Sequence, residues 1–405
     1  MLIPYEQLRI LPETRSILFM PVHDTLPPPS PDAEAHSKRV AAYLREAIAA
    51  AGGWLPFSGF METVLYAPGL GYYSAGARKL GGEGDFVTAP EISPLFGRTL
   101  ARQVQQVIAG GLPEVLELGA GSGALAASLL GELERLNALP ERYLILELSA
   151  DLRERSRDTL AERVPHLLER VAWLNRLPPD FTGLALGNEV LDAMPVHLVQ
   201  KQAGKIEELG VVSGAGGFQF AARPATGELL AAAERLDLAD GYRTEIGLVA
   251  QAFMRTLAKT MERGVVLFLD YGFPAHEYYH PQRREGTLMC HYRHHAHADP
   301  FKHPGIQDVT SHVDFSAIAR AGGEAGLELA GYTSQAQFLV NCGITELMQE
   351  VSPENALEYV PLANQANRLL SPAEMGELFK AVAFTKGWGE PLLGFRNGDR
   401  SGSLG

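Results

Sequence analysis

Hydrophobic positions near the start of the chain repeat with the period of a helix. Val40, Leu44 and Ile48 recur every four residues with charged residues between them, which predicts an amphipathic helix from about Ala35. A second apolar pattern predicts another helix over residues 96–108. The preceding run DTLPPPSPDAE predicts a linker, because proline has a fixed φ and no backbone donor. Residues 1–34 are therefore interpreted as an arm with a proline-rich linker, and residues 35–110 as an N-terminal helical segment.

Short apolar runs then alternate with helical patterns through the middle of the chain. The predicted strands are residues 114–118, 142–148, 171–174, 183–186 and 264–270, with helices over 124–139 and 151–163. Two later runs, 327–332 and 379–386, are expected to pair as antiparallel edge strands. Alternating strands and helices predict an α/β fold with a parallel sheet covered on both faces. The continuous apolarity of 264–270 is typical of a strand buried on both sides.

Two stretches interrupt this alternation and divide the chain further. Residues 199–220 alternate polar and apolar positions with many glycines, which predicts a hairpin insertion within a core of residues 111–271. Residues 272–311 are rich in His, Arg, Tyr and Pro, and predict a long inserted loop that forms a substrate region. The rest of the core is placed at 312–388, and a tail at 389–405.

Charge and cysteine content narrow the class of protein. The 405 residues contain 35 Lys and Arg against 48 Asp and Glu, a net charge of −13, which argues against binding nucleic acid and suits a basic partner. Two cysteines are too few for a disulfide framework and favour a reducing compartment. No window reaches the roughly 18 apolar residues of a membrane span, and the N-terminus lacks the features of a signal peptide. We therefore expect a cytoplasmic protein.

A glycine-rich turn follows the first predicted strand of the core. The sequence ELGAGSGA places Gly119, Gly121 and Gly123 between a strand and a helix. Glycine lets a ligand lie against bare backbone, and the helix N-terminus adds free N–H groups. A dinucleotide site requires Gly-x-Gly-x-x-Gly/Ala, which this turn satisfies through Ala124. A nucleoside-binding methyltransferase requires an acid two residues before the first glycine, which is Glu117 here.

An acidic residue ends the second predicted strand, near the usual distance from such a turn. Glu147 can accept hydrogen bonds from both ribose hydroxyls of an adenosine-containing cofactor, and Leu148 after it belongs to the same predicted contact. The alternative is a surface glutamate that caps the following helix. These residues alone leave NAD and S-adenosyl-L-methionine equally open.

Several further motifs together resemble those of a known family. They are LYAP at 65–68, GYY at 71–73, GDFVTAPEIS at 84–93, ELGAGSG at 117–123, GNEVLDA at 187–193, DYG at 270–272 and the stretch 305–315. The chain resembles the MidA-like S-adenosyl-L-methionine-dependent methyltransferases, whose mitochondrial members are complex I assembly factors that methylate a protein arginine. The resemblance implies a Rossmann-like sheet of seven strands, S-adenosyl-L-methionine rather than NAD, and a protein substrate that offers an arginine.

The resemblance also implies cofactor contacts outside the glycine turn. It implies a lid over the methionine end of the cofactor, formed by Gly84, Asp85, Phe86 and Thr88, with Ser93 nearby. Asp85 can pair with the cofactor's ammonium group, although it could instead only cap a turn. Asn188 is expected to face the methionine group or the acceptor.

Carboxylates are required if the acceptor is arginine, because a charged guanidinium is a poor nucleophile. They must bind the cation and accept a proton. Glu189, Asp192 and Asp270 follow predicted strands at the sheet edge where α/β proteins bind ligands. We predict that Glu189 binds the guanidinium with help from Asp192 or Asp270. The alternative for Glu189 and Asp192 is a pair that only favours a helix dipole. Better-known arginine methyltransferases have two glutamates on one loop, so the methylated nitrogen stays open.

Histidines and tyrosines complete the candidate chemistry. His312 is the best general-base candidate, with a structural histidine as the equal alternative. The histidines at 291–303 lack the spacing of a metal site, and we expect a polar loop that contacts the substrate. Tyr72 and Tyr73 could line an acceptor channel or simply pack, as could Tyr278 and Tyr279. An assembly factor with little turnover and a small-molecule methyltransferase remain alternative functions, and the oligomeric state is open, with a homodimer as one option.

Overall fold

The computed structural model describes residues 26–75 and 87–405. Its helices are α1 (Pro31–Ala50), α2 (Phe57–Tyr66), α3 (Ala89–Ile92), α4 (Pro94–Ala109), α5 (Ala124–Arg135), α6 (Ala150–Arg163), α7 (Gly227–Glu234), α8 (Leu248–Thr260), α9 (Ala275–Tyr278), α10 (Phe315–Glu324), α11 (Gln335–Asn341), α12 (Ile344–Met348), α13 (Ala356–Leu370) and α14 (Met375–Leu378). Within the described part of the chain, no helix is long and apolar enough to cross a membrane.

The strands form three sheets. They are β1 (Leu55–Pro56), β2 (Glu114–Leu118), β3 (Arg142–Leu146), β4 (Val171–Leu174), β5 (Phe181–Asn188), β6 (His197–Gln202), β7 (Lys205–Gly214), β8 (Gly217–Pro224), β9 (Arg243–Ile246), β10 (Met261–Phe273), β11 (Met289–Tyr292), β12 (His295–His297), β13 (Asp308–Thr310), β14 (Val313–Asp314), β15 (Glu328–Ser334) and β16 (Phe379–Lys386).

The main sheet has the strand order β15-β16-β10-β5-β2-β3-β4, and β14 pairs with the end of β10. The five strands from β10 to β4 are parallel, whereas β16 runs antiparallel to both β10 and β15. The predicted α/β fold with a seven-stranded sheet and an antiparallel edge pair is confirmed. The carboxyl ends of β3, β2, β5 and β10 consequently lie side by side at one edge of the sheet.

Helices cover both faces of this sheet, because successive strand residues point to opposite sides. On β2, Val115 packs in the cluster that contains α4 and α5, whereas Leu116 packs in the cluster that contains α8 and α10. Neighbouring strands approach closely at Gly183 and Gly264, where a Cβ on Gly264 would lie 2.1 Å from the Gly183 carbonyl oxygen. The parallel strands are thereby buried on both faces.

The two interruptions form sheets of their own. The predicted hairpin at 199–220 belongs to a five-stranded antiparallel sheet with the order β1-β7-β6-β9, in which β8 pairs with β7. Its outer strands come from distant parts of the chain, so local alternation could not reveal them. The predicted loop at 272–311 contains α9 and the three-stranded sheet β12-β11-β13. Helices α1 and α2 pack with parts of both sheets in one apolar cluster.

The ends of the described chain differ from the sequence interpretation. Helix α1 begins at Pro31, inside the predicted linker, because Ser30 caps it by accepting a hydrogen bond from the Ala33 amide and proline suits the first turn. The predicted tail at 389–405 is part of the core. Leu392, Phe395 and Leu404 are buried in it, and the Phe395 ring lies 5.4 Å from that of a phenylalanine on α11.

Substitution of Phe395 by alanine tests whether this C-terminal segment stabilises the core. Loss of a buried phenylalanine should lower the free energy of unfolding by about 3–5 kcal/mol. Leu357→Ala is the control, because this side chain is 89 % exposed and its loss should change stability by no more than about 0.5 kcal/mol. Urea unfolding followed by circular dichroism measures both. Equal stabilities for the two variants would show that the segment contributes little.

Candidate active site

A cavity of about 1030 Å³ opens at the carboxyl edge of the main sheet. Its walls come from the segments that follow β2, β3 and β5, and from α2, α8, α13, α14 and the inserted sheet of β11 to β13. Parallel strands place the segments after them at one edge, which is where ligands bind in open α/β sheets. The cavity therefore collects most of the residues that the sequence singled out.

The glycine turn after β2 forms one wall of the cavity. Gly119 and Gly121 line it, and both have a left-handed backbone, with φ of +68° and +54°. The Gly119 amide donates to the Leu146 carbonyl at 2.9 Å, which fixes the turn against the end of β3. Gly123 differs, because it does not line the cavity and a Cβ there would lie 2.8 Å from Ser156 of α6. The structure thus places Gly123 at a helix contact.

Glu147 lies beside the turn, immediately after β3. Its Oε2 accepts a hydrogen bond from the Gly121 amide at 3.1 Å, and its Oε1 accepts one from the Ser149 amide at 2.9 Å. Burial raises the pKa of this carboxyl, while these amides oppose the change. A carboxylate can accept about four hydrogen bonds, so both oxygens can still accept a ribose hydroxyl. Leu148 follows and is 78 % exposed at the cavity wall.

Glu117 lies beneath the turn and is buried. The Tyr143 hydroxyl donates to its Oε2 at 2.7 Å. Burial raises the pKa of Glu117 to about 7, and the neighbouring carboxylate of Glu147 adds to this. Glu117 near the end of β2 and Glu147 just after the adjacent strand β3 therefore lie at the same end of the cavity.

These residues fit an adenosine-containing cofactor. The turn offers bare backbone, Glu147 has spare acceptor capacity, and Leu148 offers an exposed apolar side chain for the face of a ring. At the other end of this wall, the Asn188 Oδ1 is buried and lacks a hydrogen-bond partner within the described residues. Asn188 lines the cavity, so its orphaned oxygen can accept a hydrogen bond from a bound group.

The structure describes only part of the predicted lid. Three of its residues lie outside the described part of the chain: Gly84, Asp85 and Phe86. Thr88 lines the cavity just before α3. Ser93 does not reach the cavity. Its hydroxyl caps α4 and donates to the Gln365 Oε1 at 2.7 Å, which ties α4 to α13.

The segment after β5 carries the predicted acidic pair. Glu189 has a φ of +53°, and its amide donates to the Leu269 carbonyl at 2.9 Å. The Glu189 Oε1 accepts hydrogen bonds from the Asn188 side chain at 3.2 Å and from the Ala89 amide at 3.4 Å. Asp192 is 5 % exposed, and its Oδ1 has no hydrogen-bond partner among residues 26–75 and 87–405. Both carboxylates line the cavity.

Asp270 has a different position from the one predicted. It is fully buried and does not line the cavity. Its Oδ2 accepts hydrogen bonds from the amides of Val190, Leu191 and Asp192 at 3.1, 2.8 and 3.4 Å, and its Oδ1 accepts one from the Tyr271 amide. Asp270 therefore holds the segment that carries the acidic pair, which a strand-end position in the sequence could not distinguish from a reacting acid.

Two tyrosines and a third acid, to which no sequence pattern assigned a role, lie at this end of the cavity. Asp308 on β13 is buried, lines the cavity, and accepts a hydrogen bond from the Tyr73 hydroxyl at 3.0 Å. The Tyr66 and Tyr73 rings stack at 5.4 Å. Both tyrosines lie in the quoted family motifs, which was the available signal. Tyr72 and Tyr278 are buried and pack instead.

Burial and mutual repulsion raise the pKa of the carboxyls at this end of the cavity, which favours their protonated forms. Burial, followed by the charges of Asp192 and Asp308, raises the pKa of Glu189 to about 8. Burial also raises the pKa of Asp192 to about 6, although the nearby Tyr271 hydroxyl opposes this. A bound cation would relieve both the burial and the repulsion.

His312 lines the cavity but is unsuited to the predicted general-base role. Its ring stacks on Phe273 at 5.3 Å, and burial together with the charges of Arg283 and Lys380 lowers the pKa of His312 to about 3. Burial likewise lowers the pKa of His291 to about 4. A histidine with so low a pKa holds a proton poorly at neutral pH. Among the described residues, no group of three or more side chains could hold a metal ion.

Comparison with known proteins agrees with this geometry. Residues 95–333 match a family described as "Putative S-adenosyl-L-methionine-dependent methyltransferase". The mitochondrial protein arginine methyltransferase NDUFAF7 homolog of Drosophila melanogaster is 29% identical over 89% of each chain. The mouse protein arginine methyltransferase NDUFAF7, also named mitochondrial, is 31% identical over 80% of this chain and 79% of its own.

A solved structure extends the comparison to the cofactor. A protein of Burkholderia thailandensis bound to S-adenosyl-homocysteine is 54% identical, with a TM-score of 0.91 over 94% of this chain and all of the other. The cofactor of this chain is accordingly S-adenosyl-L-methionine, and the alternative of NAD is closed. The expected cytoplasmic location is wrong by the same comparisons, since the curated relatives are named mitochondrial.

Substitution of Glu147 by glutamine tests the ribose contact. The amide can accept at only one of its two atoms, so at least one hydroxyl or backbone N–H loses its acceptor. We expect the affinity for S-adenosyl-homocysteine to fall about tenfold or more, as measured by titration calorimetry. Glu154→Gln on the exposed face of α6 is the control and should bind normally. Unchanged affinity of Glu147→Gln would remove this residue from the cofactor site.

Proposed function

The chain belongs to this family of S-adenosyl-L-methionine-dependent methyltransferases, and on that premise we propose that it methylates an arginine side chain of a protein. The curated relatives described above are named protein arginine methyltransferases. Support from this chain comes from the end of the cavity beyond Asn188, where acids and aromatic rings meet.

The observation that carries the proposal is the Oδ1 of Asp192, which is buried and has no hydrogen-bond partner in the part of the chain that the structure describes. A buried carboxylate oxygen without a partner is costly, and it indicates a cation or donor that arrives with a ligand. Glu189 and Asp308 line the same cavity, and the charge of Asp308 helps to raise the pKa of Glu189, which an incoming cation would lower again. A guanidinium group offers five N–H donors in a planar fork, which matches several carboxylates at once.

Aromatic side chains support the same acceptor. Tyr66, Tyr73 and Tyr271 line the cavity near these acids. The face of an aromatic ring attracts a cation, and arginine stacks on such a face more often than lysine. The site thus combines paired negative charge with flat apolar walls, as a guanidinium requires.

The chemistry follows from this placement. When bound, S-adenosyl-L-methionine supplies a methyl group on a positively charged sulfur, which an in-line nucleophile displaces. Glu189 and Asp192 would orient the guanidinium and concentrate its charge away from the attacking nitrogen. Glu189, with its raised pKa, can then take the proton released as the new N–C bond forms. Asp270 takes no proton in this scheme, because its oxygens are occupied by backbone amides.

Radiolabelled transfer tests the acceptor class. The protein, incubated with methyl-labelled S-adenosyl-L-methionine and an undialysed extract of its source cells, should label one or a few polypeptides. Acid hydrolysis should release the label as methylarginine. Label only in small molecules would replace the protein acceptor by a small-molecule one. No label above a heat-denatured control, with S-adenosyl-homocysteine still bound, would favour an assembly factor with little turnover.

Glu189→Gln and the pH profile test the proposed proton acceptor. The carboxylate forms are gained as pH rises through about 6 for Asp192 and about 8 for Glu189, so wild-type kcat/KM should rise across this range. Glu189→Gln should lose about 100-fold or more in transfer and lose the upper limb of the profile. S-adenosyl-homocysteine affinity should stay within about twofold of wild type.

A matched control variant and a measurement of stability against pH accompany this test. Glu46→Gln, at an exposed position on α1, should leave the profile unchanged. Because folding raises the pKa of Glu189 from its ordinary value of 4.5 to about 8, the stability contributed by its protonated form is lost as pH rises from about 4.5 to about 8 and changes little above that. Glu189→Gln should therefore be at least as stable as wild type at pH 9. An unaltered upper limb in Glu189→Gln would assign the proton to another group.

A further inference from the structure

A second caged carboxylate lies outside the cavity, on the five-stranded sheet. Glu245 near the end of β9 is 2 % exposed. Its two oxygens accept hydrogen bonds from the amides of Thr287 and Leu288 at 3.0 to 3.1 Å, and from the hydroxyls of Thr287 and Tyr278 at 3.1 and 3.0 Å. The hydrogen bonds of its carboxylate within the described chain go to Tyr278, Thr287 and Leu288, which lie outside the turns after β2 and β3.

The loop before β11 is shaped around this carboxylate. Gly286 has a φ of +79°, and a Cβ there would lie 2.2 Å from the Glu245 Oε1. Any other residue at this position would therefore open the cage. The backbone of the loop can come this close to the buried acid because glycine has no side chain.

The hydrogen bonds to Glu245 fix part of the cavity wall at the end that contains Asp308, which we assign to the acceptor. Thr287 lines the cavity, and its hydroxyl also accepts a hydrogen bond from the His312 amide at 3.0 Å. The strand β11 begins two residues later and pairs with β13, with His291 opposite Asp308. Displacement of the loop would therefore move His312 and Asp308 together, although Glu245 touches neither.

We propose that Glu245 is a positioning residue for the acceptor. It fixes Thr287, and through β11 and β13 it sets the place of Asp308 in the cavity. The cofactor wall comes from the turns after β2 and β3, and it meets Asp308 through Tyr73, whose hydroxyl donates to Asp308 and whose carbonyl oxygen accepts a hydrogen bond from Ser149. Because Glu245 holds Thr287 directly and reaches the cofactor wall only through these further contacts, cofactor binding should respond less to its loss than acceptor binding. This inference rests on the proposed function, because it assigns the Asp308 end of the cavity to a guanidinium.

The test compares binding of a guanidinium probe with binding of the cofactor product. The probe is N-acetyl-arginine methylamide, and its uncharged citrulline analogue is the ligand control. Saturation-transfer NMR on protein saturated with S-adenosyl-homocysteine measures probe affinity, and titration calorimetry measures affinity for S-adenosyl-homocysteine itself. The variants are Glu245→Gln, which places an N–H₂ among donors, and Gly286→Ala, which opens the same cage from outside the cavity.

A third variant controls for general loss of stability. Glu132 on α5 is another buried carboxylate, 3 % exposed, paired with Arg98 at 2.7 Å, and it does not line the cavity. Glu132→Gln should lower the melting temperature as Glu245→Gln does, yet leave probe affinity unchanged. A merely structural role for Glu245 would make the two variants alike.

We expect Glu245→Gln and Gly286→Ala each to weaken probe binding about tenfold, and S-adenosyl-homocysteine binding by less than twofold. The double variant should lose little more than either alone, because both changes open one cage. Equal losses for probe and cofactor product, or no loss for the probe, would overturn the inference, as would a wild type that binds the arginine and citrulline probes alike.

Failure of the proposed function has a different signature. If the wild type binds the arginine probe but transfers no label to protein, the proposed protein substrate falls while the positioning role is still decided by the variants. If label reaches methylarginine and Glu245→Gln transfers it with wild-type KM and kcat, the positioning role falls alone.

Discussion

The cavity depends on the buried carboxylate of Asp270, which accepts hydrogen bonds from three successive backbone amides. Chain leaving β5 must turn at once, and Glu189 does so with a left-handed backbone that only glycine adopts without cost. Amides freed by such a turn in the protein interior would each cost about 1–3 kcal/mol if unpaired. Asp270 pairs those of Val190, Leu191 and Asp192, so the turn becomes stable. The side chains of Glu189 and Asp192 can then face the cavity instead of satisfying their own backbone.

This arrangement places acidic side chains so close together that the charge on one disfavours ionisation of the next. Burial and neighbouring acids raise the pKa of both Glu189 and Asp192, so the empty site carries less negative charge than its composition indicates. A cation that enters the site stabilises the ionised forms, and the gain is larger because the acids repel one another without it. The histidines nearby do not supply that positive charge, since burial lowers the pKa of His291 and of His312. The site is therefore selective for a ligand that brings its own charge.

The cofactor half of the site could be predicted from the sequence because its parts are local. The turn from Glu117 to Gly121 and the acid Glu147 lie within two successive strand-and-helix units, and strands β2, β4 and β16 have the predicted bounds. The other half could not. Asp270 ends the predicted strand 264–270 as a reacting acid would, but in the structure it lies within β10 and its oxygens accept hydrogen bonds from backbone amides. Asp308 reaches the cavity through pairing of β11 with β13, and the five-stranded sheet joins β1 to strands about 150 residues later. Pairing between distant segments leaves no local pattern to read.

The same division indicates how such a fold can change its acceptor. Glu147 and the glycine turn are held by hydrogen bonds within the main sheet, whereas Thr287 and Asp308 are held by an acid on a different sheet. A change in the five-stranded sheet or in the β11 to β13 insertion would alter the acceptor wall and leave the turn against β3 intact. Glu147 and Glu245 share no hydrogen-bond partner among the described residues, so a change at one should couple weakly to the other, although Tyr73 links Asp308 to Ser149. Under the proposed function, the main sheet holds the methyl donor, while the insertions form the wall that faces the acceptor.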